Sequence, residues 1–136
     1  MKEEIIELSD AELEDIENRL DEYDKNHIGY ELGGNIRIGI KRNNKVIAGV
    51  DGCMTAFKIL YVSTLFVDED YRNNKIGSLL MSEVEKRAKN IGANMIRLDT
   101  FNWQGRDFYL SLGYEEVGSY GNKTDGFSEH FFLKRI

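Results

Sequence analysis

The chain has no proline, one cysteine, one tryptophan and two histidines among its 136 residues. Each scarcity excludes something. A single cysteine, Cys53, rules out an internal disulfide and fits a reducing cytoplasm. It lies in a strand-like run, where packing is its expected role. His27 and His130 stand far apart with one thiol between them, so the ligand spacing of a zinc site does not occur and no metal is expected. No apolar run approaches the ~20 residues of a membrane-spanning helix. The acidic start lacks the basic and apolar regions of a secretory signal. There is no G-x-G-x-x-G and no glycine-lysine-serine/threonine phosphate loop, which excludes the two commonest nucleotide fingerprints. Internal repeats and low-complexity tracts are absent too.

What is present describes a soluble globular protein. Hydrophobic residues make up 41% and charged residues 31%, enough for one core, and residues 1–136 are expected to form a single domain. Charge is uneven: residues 1–31 carry a balance of −9 and the rest +3, within a total of −6. That distribution argues against a nucleic-acid partner. It suits a cationic molecule near the first helix and an anionic one elsewhere, or simply a solvated acidic face.

Residues 3–8 read as a short strand. Ser9-Asp10-Ala11-Glu12 is a capping box opening a helix with Leu13, Ile16, Leu20 and Tyr23 on one stripe. Residues 24–35, with three glycines, read as a loop. Ile36, Ile38 and Ile40 alternate with polar residues as in a half-buried strand, Asn43-Asn44 suits a two-residue hairpin turn, and residues 46–57 form the return strand. Strands are further expected at 61–67, 95–101, 114–120 and 129–135, with a short helix at 104–112 and a long polar loop at 121–128.

The chain is organised around residues 61–91: a β-branched and aromatic strand, a polar turn, and a helix with Ile76, Leu80, Val84, Ala88 and Ile91 on one face and Leu79 beside them. Gly92 marks its end. Amides at a helix start are unpaired and lie at the positive end of the dipole, so the turn Arg72-Asn73-Asn74-Lys75-Ile76-Gly77-Ser78 suits a phosphate. Gly77 permits close approach, and Arg72 and Lys75 add positive charge. Many strand-to-helix turns have this composition and bind nothing.

Two segments together resemble the GNAT superfamily of N-acetyltransferases. Arg72-x-x-Lys75-x-Gly77 is similar to its coenzyme-binding pattern Arg/Gln-x-x-Gly-x-Gly/Ala, with lysine for the first glycine. The stretch from Asn102 through Phe108-Tyr109 to Gly113-Tyr114 is similar to its Asn-x-x-Ala-x-x-Phe/Leu-Tyr-x-x-x-Gly-Phe/Tyr helix, with Gly105 for alanine. The resemblance implies an α/β (α+β) fold: a mixed, mostly antiparallel sheet of six to seven strands flanked by about three helices. It implies acetyl-CoA as co-substrate, its diphosphate on residues 72–78, its pantetheine along the main chain of Leu65, Phe66 and Val67, and Tyr109 as donor to the departing sulfur, with a core aromatic as its alternative role. Asn102 suits either a hydrogen bond to the pantetheine amides or the turn that ends its strand. Where several members carry a carboxylate base this chain has Ser63, so Asp99 stands in as candidate base; an ion pair with Arg97 is its alternative role. The expected activity is transfer of acetyl to a primary amine of a small cationic molecule, in a ternary complex. A protein lysine or N-terminus as acceptor, or an acyl-CoA sensor without turnover, are the alternatives. The expected protein is cytoplasmic, touches neither membrane nor nucleic acid, and is compatible with a homodimer.

Overall fold

The described strands pair in the order β1 (Asn35–Arg42), β2 (Lys45–Met54), β3 (Ile59–Val67), β4 (Met95–Phe101), β6 (Phe127–Arg135) and β5 (Glu115–Asn122), and this order places the site. The computed structural model describes residues 2–29 and 33–136. They form two compact units, Met1–Glu31 and Leu32–Ile136. The first holds α1 (Asp10–Lys25). Its start is the expected capping box: Ser9 Oγ accepts from the Glu12 amide at 3.2 Å, and Glu12 Oε1 accepts from the Ser9 amide at 3.0 Å. Residues 3–8 are not a strand. A strand exists only by pairing, and the sheet's six described strands all come from the second unit. The loop expected at 24–35 includes residues 30–32, which lie outside the described residues.

The second unit runs β1 (Asn35–Arg42), β2 (Lys45–Met54), β3 (Ile59–Val67), α2 (Ile76–Asn90), β4 (Met95–Phe101), α3 (Arg106–Ser111), β5 (Glu115–Asn122) and β6 (Phe127–Arg135). Strands β1 to β3 are an antiparallel meander. Asn43 and Asn44, at φ 52° and 62°, make its first turn, as asparagine's tolerance of positive φ allows. The crossover through α2 makes β3 and β4 parallel, whereas β4, β6 and β5 pair antiparallel. This is the mixed, mostly antiparallel sheet with three helices that the family resemblance implied.

One face of the sheet carries the core. Ile76, Leu80, Val84 and Ala88 of α2 are buried against Leu60, Val62, Ile96, Leu98 and Phe132. Met81 joins them, whereas Leu79 is 62% exposed, so the apolar face of α2 turns away from Leu79. The loop expected at 121–128 shrinks to a turn at 123–126, because Asn122 Oδ1 accepts from the Thr124 amide at 2.9 Å and Gly126, at φ 71°, closes it. The local side-chain hydrogen bond substitutes for length.

Candidate active site

The two parallel central strands part company halfway. β3 pairs with β4 only from Ile59–Met95 to Val62–Leu98. Beyond that, β3 stays with β2 and β4 stays with β6, which leaves a gap between residues 63–67 and 99–101. A bulge coincides with the parting: Asp51 faces Thr64 and Gly52 faces Val62, so Ser63 is the extra residue. An extra residue bends and twists its strand, and Ser63 and Thr64 are exposed although they lie in mid-sheet. The Asp68 amide donates to Ile47 on β2 at 2.7 Å. By antiparallel alternation the polar groups of Leu65 and Val67 therefore face the gap, and those of Phe66 face β2. Of the three residues expected along the coenzyme arm, Phe66 has its main chain turned the other way.

The turn after β3 ends at the start of α2. Asn73 and Lys75 take left-handed backbone, at φ 65° and 61°. The first helical bond runs from the Leu79 amide to the Lys75 carbonyl. No side chain caps the helix, so the amides of Ile76, Gly77 and Ser78 have no intrahelical acceptor. Asn74 Nδ2 donates to the carbonyls of Tyr71 and Arg72 at 3.3 Å, which shapes the turn. Arg72 Nε donates to the Val67 carbonyl at 2.9 Å and its guanidinium lies over the Phe66 ring. Arg72 thus ties turn to strand as well as supplying charge.

Lys75 occupies the position where the motif has glycine, and its φ says why glycine suits it. Left-handed backbone costs an L-residue about 1–2 kcal/mol, against the roughly 0.5–1 kcal/mol of extra entropy that glycine loses on folding. Lys75→Gly should therefore leave the protein more stable, by up to about 1 kcal/mol in denaturant unfolding. A loss of stability would mean that the lysine side chain more than offsets the strain.

Gly77 serves packing. A Cβ built there would lie 3.1 Å from Phe108 Cζ, so the absent side chain lets α3 close onto the start of α2. Next to Phe108, Tyr109 is only 7% exposed, with its ring edge-on to Phe108 and Tyr114. Tyr109 is thus part of the core. Burial, and then the charge of Asp99, pushes the phenol up to about 12, so it is a proton donor across the physiological range. Thr100 anchors α3's approach by accepting from the Gly105 amide at 3.1 Å.

Asn102 is held at the end of β4. Its Oδ1 accepts from the Ser128 amide at 3.0 Å, and its own amide donates to the Ser128 carbonyl at 2.9 Å. Only Nδ2 is left to meet a ligand.

Asp99 points to the opposite face of the sheet. It accepts from Tyr61 Oη at 3.0 Å, while Arg97 lies 4.2 Å over the Tyr61 ring instead of pairing with Asp99. Burial and the Asp99 hydrogen bond raise the Tyr61 phenol above its ordinary value. On the same face Tyr120 Oη donates to Glu129 at 2.6 Å and its ring stacks on Phe131. The face therefore offers two carboxylates set among aromatic rings beside the gap.

One grouping had no signal in the sequence. Glu116, expected only as a strand residue, accepts from Arg106 at 3.1 and 3.2 Å and contacts His130 Nδ1, and His130 Nε2 lies 2.8 Å from Ser128 Oγ. Only the β5–β6 register and the start of α3 bring these four together.

Comparison with known proteins agrees with this geometry. The family model described as "Acetyltransferase (GNAT) family" matches residues 2–114. An acetyltransferase of Agrobacterium fabrum is 31% identical over 131 residues, 95% of each chain. The crystal structure of an acetyltransferase from Bacillus cereus superposes with a TM-score of 0.91 at 33% identity, covering 98% of both chains. At 18% identity, an aminoglycoside 6'-N-acetyltransferase complexed with coenzyme A shares the fold, with a TM-score of 0.66 over 93% of this chain and 81% of that one.

Proposed function

The chain belongs to the acetyltransferase (GNAT) family, and we propose that it transfers acetyl from acetyl-CoA to the primary amine of a small cationic molecule, by direct attack in a ternary complex. One observation carries this reading: the gap between β3 and β4 opens beside a helix start whose amides have no intrahelical acceptor. The free amides of residues 76–78 would take the diphosphate, with Arg72 and Lys75 adding charge. The gap-facing groups of Leu65 and the amide of Val67, whose carbonyl is held by Arg72, would pair with the pantetheine arm as an added strand, and Asn102 Nδ2 would donate to it. A gap-facing amide near the thioester oxygen would stabilise the charge that develops there. The family match runs from residue 2 to 114, which supports taking residues 1–136 as one acetyltransferase domain. No described helix is long and apolar enough to cross a membrane; we place the protein in the cytoplasm, in keeping with its lone thiol.

The chemistry follows from ordinary acidities. A primary amine near pKa ~10.4 is almost wholly protonated at neutral pH and must lose a proton before attack. Asp99, with Tyr61 holding its carboxylate, is the candidate acceptor of that proton, and Glu129 with the surrounding rings would favour a cation on that face. The departing thiol, near pKa ~8.5, is more acidic than Tyr109. Tyr109 therefore stabilises the thiolate by donating a hydrogen bond.

Asp99→Asn should flatten the acidic limb of the pH–rate profile; an unaltered limb would leave Asp99 with its structural hydrogen bond only. The reading itself is tested by thiol release from acetyl-CoA against a panel of amines. Tight coenzyme binding without thiol release from acetyl-CoA in the presence of any amine would favour a sensor. An unchanged melting temperature at saturating acetyl-CoA would remove the coenzyme altogether.

A further inference from the structure

The proposed transfer uses the gap between β3 and β4 and leaves one polar grouping without a task. It lies one strand away, on the core-bearing face, where β5, β6 and the first residue of α3 meet. Its bonding can be worked out donor by donor. Arg106 approaches Glu116 with Nε on Oε1 and Nη2 on Oε2, and chiefly through Arg106 the carboxyl is held below its usual range and stays ionised. An ionised carboxylate only accepts. His130 Nδ1, which contacts the same Oε1, must therefore carry the ring hydrogen. In the neutral ring Nε2 is then an acceptor, and Ser128 Oγ at 2.8 Å must donate to it. A carboxylate fixing an imidazole that accepts a hydrogen from a hydroxyl is the arrangement that activates serine on unrelated folds.

The setting suits the same task. The His130 side chain is 14% exposed and Ser128 is partly exposed, so the base is shielded while the hydroxyl is reachable. Ser128 cannot drift, because its amide and carbonyl are both bonded to Asn102. Since Asn102 Oδ1 accepts from the Ser128 amide, the side-chain orientation is fixed and Nδ2 is left as a donor beside the serine.

We propose that Ser128 is an acyl-accepting nucleophile for small activated esters and thioesters, with His130 as its base and Glu116 as the positioning residue. The Oγ–carbon bond forms as the carbon–sulfur or carbon–oxygen bond of the ester breaks. The hydroxyl proton passes to His130 Nε2 and then to the departing thiolate or phenolate. Water next attacks the acyl-serine, giving one proton through His130 back to Ser128 Oγ and releasing the carboxylic acid. The sum is hydrolysis, with no other reactant.

The probe is p-nitrophenyl acetate, given to the full chain without coenzyme or amine. Phenolate release is followed, and the acetylated residue is located by peptide mass spectrometry. One acetyl group on Ser128 is expected. Ser128→Ala should lose the adduct and slow phenolate release about 10²-fold, His130→Gln should do likewise, and Ser128→Cys should restore acylation. Ser128→Ala removes one hydroxyl, and an unchanged melting curve shows that it folds. No acetyl on Ser128, or acetyl only on lysines with the rate unchanged in Ser128→Ala, overturns the proposal; an adduct that persists in His130→Gln removes the base. Because no coenzyme enters, a negative result leaves the acetyl-CoA reading intact, and an absence of thiol release to amines leaves this one intact.

Discussion

Tyr109→Phe is expected to lower kcat about 10²-fold while coenzyme affinity stays nearly constant. The aromatic packing against Phe108, Tyr114 and Phe132 survives the change, so what is lost is one hydroxyl. In the proposed reaction the hydroxyl helps only when sulfur becomes an anion. An interaction made only in the transition state shows in kcat and in kcat/KM alike, and not in binding. Single-turnover rates with acetyl-CoA and isothermal titration with CoA would separate the two, and an unchanged kcat would take Tyr109 out of the reaction.

The same variant makes a second measurement possible. A phenol raised to about 12 in the folded chain titrates near ~10 when unfolded. Its contribution to stability is complete below about pH 10 and is lost as pH climbs through 12. By linkage that loss is at most about 2–3 kcal/mol. Tyr109→Phe should make the alkaline fall in stability shallower. Tyr114, also raised by burial, keeps part of the slope. Denaturant titrations across that pH range decide it, and identical slopes would mean that Tyr109 ionises as freely in the fold as out of it.

Gly77→Val should both destabilise the protein and weaken coenzyme binding. Even the first added carbon would sit 3.1 Å from Phe108 Cζ, and valine adds two more on a branch that cannot fold away. Overpacking of this kind costs about 1–3 kcal/mol. Pushing Phe108 away moves α3, and with it Tyr109, from the start of α2. A second substitution, Phe108→Ala, tells the causes apart. If Gly77→Val/Phe108→Ala regains coenzyme affinity relative to Gly77→Val, the glycine serves the helix–helix contact. If affinity stays low, the coenzyme itself needs the space at residue 77. Wild-type affinity in Gly77→Val alone would place the phosphates elsewhere.

Much of this was open to reading along the chain because it depends on neighbours in sequence. Ser9 and Glu12 are three residues apart and form their capping box whatever surrounds them. The apolar stripe of α2 and the Asn43-Asn44 turn follow from helical period and from asparagine's backbone tolerance. Gly92, at φ 102°, takes the left-handed stop expected of it. The failures have the opposite character. Residues 3–8 look like a strand but find no partner in the described sheet, and Leu79 follows the helical pattern yet faces water.

The candidate site divides in the same way. The turn at 72–78 and the helix that follows it were legible because charge, glycine and the helix start lie close together in the chain. Where β3 leaves β4 was not, since it depends on how Ser63 fails to match a residue of β2 twelve positions back. Nor could the chain reveal that Gly77 faces Phe108, that Tyr61 and not Arg97 holds Asp99, or that Glu116, His130 and Ser128 form one hydrogen-bonded row. Periodicity assigns a side chain to a face of its own element. Which partner it meets on that face is set by strand register and by the docking of helices, and those arise only once the whole sheet has formed.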